Sequence, residues 1–431
     1  MSKDLEEQVL RVDGPTPSIA GWIGLEGDSD VKPKRSFFWF FEAEKDPDDA
    51  PLILSMGGGP GSSGMMNALL YEAPCIIGPK GTTKPNKDRW TESFNLLALD
   101  HPIGVGYSYG MSVNNSQAAA EDVLDFLQRF FKLYPNLARS QLVLADGSYG
   151  GTYVAHIGSV IHSHNELLAR GNSREIPINL ESIVLHNPIF NPLAHYQWLL
   201  HYRCFLHQVH NTTTCQELSG YLGPCLEAIG LAFEDSTTVN SVAAQNICLG
   251  QLGAGDTQGV LLEDIRKTCD SDDVFVCYPE YLWASDLFNS AEAKRILRAP
   301  NGLVFEGSSE RVGKDFYAAG DIIRPHHKLY EPLLRDGIRI LFIIGAQDAN
   351  CAWPGVLSSI KLLQTPYQRE FNSAPDVRWP ARNVTVRKAG PGAAGQLTYA
   401  LLEDAGHTVG QDQPVLMKDI VAKFITEVDF F

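Results

Sequence analysis

Short apolar runs alternate with helical periods through the first half of the chain and again near its end. This pattern admits few architectures besides a sheet with helices packed on it. Pro51–Met56 reads as a strand running into Gly57-Gly58-Gly59-Pro60-Gly61, and Phe94–Leu99 as a second strand ending at Asp100. From Gln117 to Tyr134 the residues Val123, Leu124, Leu127, Phe130, Phe131 and Tyr134 recur at helical spacing. Ser116 is the expected N-cap of that helix and Pro135 its stop. Gln141–Ala145 is a buried strand that breaks at Asp146-Gly147-Ser148, with a helix expected from Tyr149. Glu181–His186, Ile338–Gly345, Asn383–Lys388 and Leu397–Leu402 read as further strands. Pro414–Val428 is a closing amphipathic helix with Pro414 at its start.

The alternation fails between about 191 and 319, where cysteines, polar tracts such as Thr212-Thr213-Thr214 and short helical patterns replace it. The expected organisation is one α/β core in two parts, residues 1–190 and 320–431, with residues 191–319 as an inserted cap. Six of the eight cysteines (Cys204, Cys215, Cys225, Cys248, Cys269, Cys277) lie in that insertion, and only Cys75 and Cys351 lie outside it. Such clustering reads as a disulfide-stapled segment from an oxidising compartment, although spacing alone does not choose among the pairings. Sequons at Asn114, Asn211 and Asn383 agree with a secretory route and are candidate glycosylation sites. A metal cluster is the rival reading. No close Cys-x-x-Cys pair is present, and His162/His164 and His326/His327 lack a third ligand at useful spacing, so no metal and no other cofactor is expected.

The formal net charge of −16 argues against nucleic acid or an anionic membrane as partner, and no apolar run reaches the ~20 residues of a membrane helix. Met1–Asp13 carries six charged side chains and no apolar core of a leader peptide. A secreted or vacuolar protein whose leader is absent from this chain reconciles that with the cysteines.

Ser148 stands between a buried strand and a helix, followed by Tyr149-Gly150-Gly151. That is the context of a nucleophile elbow, with Asp146 where the usual pattern has a first glycine. An ordinary turn serine is the competing reading. A serine hydroxyl needs a base, and the base a carboxylate to orient it. Asp348 follows the strand Ile338–Gly345, and His407 follows Leu397–Leu402. The chain order Ser148, Asp348, His407 is that of α/β-hydrolases, and the placement after strand ends is the stronger evidence. The glycine loop at 57–64 lacks the Lys-Ser/Thr of a phosphate loop and suits an oxyanion hole, where one N–H donor is worth ~10²–10³ in rate.

Several stretches resemble the serine carboxypeptidase family. They include Phe37-Phe38-Trp39-Phe40-Phe41-Glu42, Gly58-Gly59-Pro60-Gly61-Ser62-Ser63, and Asp100-His101-Pro102-Ile103-Gly104-Val105-Gly106-Tyr107-Ser108-Tyr109. Ser148-Tyr149-Gly150-Gly151, Asp264-Ile265-Arg266-Lys267-Thr268-Cys269, and Ala405-Gly406-His407 with Asp412-Gln413-Pro414 continue it in family order. The resemblance implies an α/β-hydrolase fold with a disulfide-bearing cap, a triad of Ser148, Asp348 and His407, and oxyanion donors from the N–H groups of Gly59 and Tyr149. It also implies a Cys269–Cys277 bridge and a free thiol at Cys351 near the site. It leaves a homodimer open.

The chain departs from the family pattern where a peptide's free C-terminal carboxylate is read. Family members carry Trp-Leu-Asn-Gly-Gly-Pro and Gly-Glu-Ser-Tyr, where this chain has Ser55-Met56-Gly57-Gly58-Gly59-Pro60 and Asp146-Gly147-Ser148-Tyr149. Thr408 replaces the usual Met after the histidine, and Gly410 the usual Pro. Losing two hydrogen bonds to a charged group removes ~3–6 kcal/mol of recognition. The expected activity is therefore hydrolysis or transfer of an acyl or ester group on a small molecule without a free α-carboxylate. Ser55, Gly57, Gly58, Glu72, Asp146, Gly147, Cys351 and Thr408 are the candidate pocket residues, Asp146 as a displaced acid or as turn filler. A true carboxypeptidase acting on peptides, a lyase on the same fold and a non-catalytic binding protein are the alternatives. Restoring Asn at 57 with Glu at 147 is expected to raise carboxypeptidase activity.

Overall fold

A computed structural model describes residues 9–12, 17–171, 175–269, 271, 274–379 and 382–431. Most of the charged segment Met1–Asp13 lies outside the described residues. The chain divides into two compact units. The first comprises Met1–Asp146, His156–Ser182 and Asp273–Gly313, and the second Gly147–Ala155, Ile183–Asp272 and Lys314–Phe431.

In the first unit the principal strands include β1 (Val9–Val12), β2 (Ser18–Gly24), β3 (Lys34–Phe41), β4 (Leu52–Ser55), β5 (Asn95–Leu99) and β6 (Leu142–Gly147, up to Asp146). Their order across the sheet is β1-β2-β3-β5-β4-β6. The outer pairs are antiparallel, whereas β4 runs parallel to both β5 and β6. Every residue of β4, β5 and β6 is buried, which suits the apolar runs Leu52-Ile53-Leu54 and Leu142-Val143-Leu144 to parallel strands covered on both faces. Helix α1 (Ser116–Leu133) lays Val123, Phe126, Leu127, Phe130 and Phe131 into this core. Phe126 and Phe130 meet Phe38 of β3 edge-on at 5.7 and 5.5 Å between ring centroids.

The cap of α1 differs from the sequence expectation. Asn115, extended at φ −151° and ψ 155°, is the N-cap, and its side-chain oxygen accepts the Ala118 N–H at 3.0 Å. Ser116 is already the first helical residue. Asn and Ser cap about equally well, so composition could not separate adjacent positions.

In the second unit β7 (Leu180–His186, from Ile183 onward), β10 (Arg339–Gly345), β11 (Val377–Arg378), β12 (Val384–Ala389) and β13 (Leu397–Leu402) run in the order β7-β10-β13-β12-β11. A separate short hairpin pairs β8 (Val260–Leu261) with β9 (Asp264–Thr268). β10 and β13 are parallel, and β12 turns back antiparallel at the margin. The architecture is a central, mostly parallel sheet flanked by helices. α2 (Gly150–Ala169) follows β6, and α6 (Pro414–Ile425) closes the chain with Leu416, Met417, Ile420, Val421 and Phe424 buried.

Residues 192–248 form three helices: α3 (Pro192–His201), α4 (Thr212–Glu234) and α5 (Thr238–Ile247). The polar tract Thr212–Thr214 is the first turn of α4, because Asn211 accepts the Thr214 N–H at 2.9 Å and starts the helix there. Disulfides join Cys204 to Cys215 and Cys225 to Cys248. Cys269 and Cys277 are also disulfide-bonded, while Cys75 and Cys351 are free thiols. Closing the 23-residue separation of Cys225 and Cys248 removes chain entropy worth ~3 kcal/mol. Among the described residues no helix is long and apolar enough to cross a membrane.

Candidate active site

Strand β6 is buried to its last residue and α2 begins at Gly150, so Ser148 and Tyr149 alone make the turn. Ser148 has φ +57°, a left-handed conformation that costs a residue with a side chain ~1–3 kcal/mol. Four main-chain hydrogen bonds hold it. Ser148 N donates to His186 O and Asn187 O at 3.1 and 3.2 Å, and Ser148 O accepts from Gly151 N and Ile189 N at 3.0 and 2.8 Å. Gly151 is required here, since a Cβ on it would lie 2.5 Å from Cβ of Pro188. A tight, positive-φ turn between a strand and a helix is the geometry that a nucleophile elbow requires.

Asp348 lies just past β10 and is fully buried. Its Oδ1 accepts the N–H groups of Asn350 and Cys351 at 2.7 and 3.0 Å. Its Oδ2 accepts His407 Nδ1 at 2.7 Å and Asn187 Nδ2 at 2.6 Å. His407 follows β13. Burial alone would lower its pKa, but the charge and hydrogen bond of Asp348, with Glu263 adding, outweigh that and raise it. The carboxylate therefore fixes the tautomer, leaving Nε2 as the basic nitrogen.

The Cys351 thiol hydrogen-bonds the Ser148 hydroxyl, and burial together with Asp348 and Glu263 pushes its pKa well up. Asp348, Cys351 and His407 offer ligand atoms within 4.8 Å of one another. Their chemistry does not favour a metal, because both Asp348 oxygens are already engaged by N–H donors and the thiol is held protonated.

Two residues of this site escaped sequence reasoning. Asn187, at φ +41° and fully buried, spans the loops that carry Asp348 and His407. Its Oδ1 accepts Gly345 N at 2.7 Å, and its Nδ2 donates to Gly406 O at 3.1 Å as well as to Asp348. An Asn at a strand end is the usable signal, since Asn tolerates the left-handed region better than most residues. The buried His186 ring is the second. It hydrogen-bonds the main chain of His407, and burial first, then His407, pushes its pKa down to about 3, so it is neutral.

In the first unit, Ser55, Gly57, Gly58 and Gly59 occupy the end of β4 and the loop after it, where Gly59 has φ +108°. Glu72 is fully buried with Ser55, Tyr71 and Asp146 around it. Burial pushes the Glu72 pKa up to about 8. The hydrogen bonds of Ser55 and Tyr71 oppose this, and the nearby Asp146 carboxyl reinforces it. Asp146 stands near enough to Glu72 for its charge to bear on that carboxyl.

A sequence model of the family described as serine carboxypeptidase matches residues 13–427. The chain belongs to the serine carboxypeptidase family. Carboxypeptidase Y homolog A of Neurospora crassa is 30% identical over 434 residues, covering 96% of this chain and 75% of the relative. The homolog from Sordaria macrospora is 29% identical over 431 residues, with the same coverage. A crystal structure of a prohormone-processing carboxypeptidase from Saccharomyces cerevisiae superposes with a TM-score of 0.81 at 20% identity, over 98% of this chain and 96% of that one. The fold is that of the α/β-hydrolases, and the chain is a serine carboxypeptidase family hydrolase.

Against the family pattern, the structure gives physical reasons for two departures. A Cβ on Gly147 would lie 2.0 Å from Cε1 of His186, so the imidazole fills the room that a side chain beside Ser148 needs. A Cβ on Gly57 would lie 2.4 Å from the carbonyl oxygen of Ser62, which is backbone and cannot swing aside. Restoring Asn and Glu at these positions therefore meets collisions, and simple restoration is not a clean test. Thr408 precedes the short helix Val409–Asp412 without a side-chain capping bond and is half-buried. Of the sequons, Asn114 is exposed, Asn211 caps α4, and Asn383 bonds Arg378 and Asp404 at 2.8 and 2.7 Å.

Proposed function

We propose that Ser148, His407 and Asp348 form a catalytic triad acting through an acyl-enzyme on substrates without a free α-carboxylate. His407 Nε2 takes the Ser148 proton as Oγ attacks the carbonyl. The imidazolium, paired with Asp348, returns that proton to the leaving group, and water or another acceptor then takes the acyl group by the reverse steps. The oxyanion donors, the N–H groups of Tyr149 and Gly59, are carried over from the resemblance. The same reading keeps residues 191–319 as an inserted cap and places the protein on a secretory route, to which the three-helix, disulfide-bonded segment is suited.

The observation that carries the substrate class is the crowding at Gly57 and Gly147, where neither position has room for a side chain that could bind a carboxylate. The test is a side-by-side turnover of blocked peptides bearing a free C-terminus against esters and amides lacking it. Faster cleavage of the free-acid peptides would sink the reading.

A second reading, a true carboxypeptidase, is favoured by the Glu72–Asp146 pair. A carboxyl with a pKa of about 8 is a neutral hydrogen-bond donor at acidic pH, and a donor can hold a substrate carboxylate. The curated relatives named as carboxypeptidase Y homologs agree with it. The same turnover comparison separates the two.

A further inference from the structure

The hairpin formed by β8 and β9, inside the segment expected to form the cap, bonds to both loops that carry Asp348 and His407. At its turn Leu262 O accepts Ala349 N at 2.7 Å and Ile265 N donates to Gln347 O at 3.0 Å, on either side of Asp348. Glu263 O accepts the main-chain N–H of His407 itself at 2.6 Å. The acid and base loops touch each other directly through Gln347 N and Ala405 O at 2.9 Å. Gly406 is forced by this approach, because a Cβ there would lie 2.5 Å from Glu263 O.

Arg266 fastens the arrangement. Its Nε and Nη2 fork onto the two oxygens of Asp264 at 2.8 and 2.7 Å. Its Nη1 donates to Asp404 O at 2.7 Å, and Nη2 reaches Asp412 Oδ2 at 3.1 Å. That same Asp412 oxygen accepts Gly406 N at 2.7 Å, so one guanidinium ties the hairpin to both ends of the turn preceding His407. Lys267 adds a second cation on Asp412 at 3.2 Å.

We propose that Arg266 is a positioning residue for His407. Through Asp264, Asp412 and the main chain of Asp404, it fixes where the imidazole stands relative to Asp348 and Ser148. The hairpin is then part of the frame that aligns the reacting groups and not only a cover over them. The inference rests on the triad reading. Partly exposed ion pairs add little to stability. Small displacements of a reacting group, by contrast, cost up to ~10² in rate. Rate should therefore respond more than melting temperature.

The test uses the full chain with Arg266→Met, Arg266→Lys and Asp412→Asn. Two readouts are the rate at which a fluorophosphonate labels Ser148 and the far-downfield proton resonance of His407 Nδ1. Arg266→Met should label roughly 10–100-fold more slowly and lose or shift that resonance, with melting little changed. Arg266→Lys should recover part of the rate, because an ammonium can replace one arm of the fork. Asp412→Asn should slow labelling in the same direction. A folded Arg266→Met protein with the unaltered chain's rate and resonance overturns the proposal. Should Arg266→Met not fold, an unslowed Asp412→Asn does so. If the unaltered chain does not label at all, the triad reading falls and this inference with it.

Discussion

The side-chain amide of Asn187 donates to Asp348 at 2.6 Å, and it does so at Oδ2, the oxygen that also receives His407. Three more contacts of Asn187 fall on the same small region: Gly345 N and Gly406 O through the side chain and Ser148 N through the main-chain carbonyl. Asn187→Ala should therefore lower kcat by roughly 10–100-fold with KM little changed, through misplacement of the acid and base. It should also destabilise the fold by ~1–3 kcal/mol, since buried partners are left unsatisfied. Steady-state ester kinetics and a thermal melt read the two effects separately.

Ser148→Ala should abolish fluorophosphonate labelling and reduce turnover by roughly 10⁶-fold, the scale seen when a triad nucleophile is removed. On the proposed triad, the acid limb of the rate profile reports His407, which must be neutral to act as base. Its pKa is raised, so activity should be lost as pH falls through a value above the ordinary histidine 6.5. The linked stability has the opposite sense. It is present below 6.5 and declines as pH rises through the raised value. A pH–rate profile with the best substrate class locates the limb, and a limb below 6.5 contradicts the assignment.

Glu72 should make stability fall with alkalinity. Its carboxyl ionises at about 8 in the folded chain against 4.5 ordinarily, so its contribution is complete below 4.5 and is lost across the window up to about 8. Glu72→Gln should flatten the melting temperature over that window, and Asp146→Asn should narrow it by removing a neighbouring charge. Melting curves at half-unit pH steps compare the three proteins, and parallel curves for all three would refute the claim.

Gly147→Glu should destabilise the protein by at least ~1–3 kcal/mol, because the His186 ring already occupies the site. His186→Gly should relieve that cost, so the double variant is more stable than the sum of the singles implies. Additive effects on the melting temperature would show that the two positions do not compete for one space. Assayed on free-acid peptides, the double variant is the proper form of the restoration that Gly147→Glu alone cannot deliver.

Local signals were readable in the sequence and distant pairings were not. The strained turn at Ser148 announces itself through small neighbours and a strand–helix junction, and Asp348 and His407 through their positions after apolar strands. The clustered cysteines announced disulfides, and those at Cys204, Cys215, Cys225 and Cys248 pair within a short reach of chain. Asn187 was invisible because its partners lie 161 and 219 residues away, and no periodicity links positions so far apart. The same holds for Arg266, whose acceptors at 404 and 412 are joined to it only by the fold. His186 reads as the last residue of a strand, and its claim on the space beside Gly147 exists only in three dimensions.

The buried environment of Glu72 also alters how the molecule's charge should be counted. The formal −16 assumes that every carboxylate has released its proton at pH 7. A carboxyl ionising at about 8 still holds that proton in the native chain and gives it up when the chain unfolds. Denaturation in neutral, weakly buffered solution should thus release about one proton more per molecule from this chain than from Glu72→Gln.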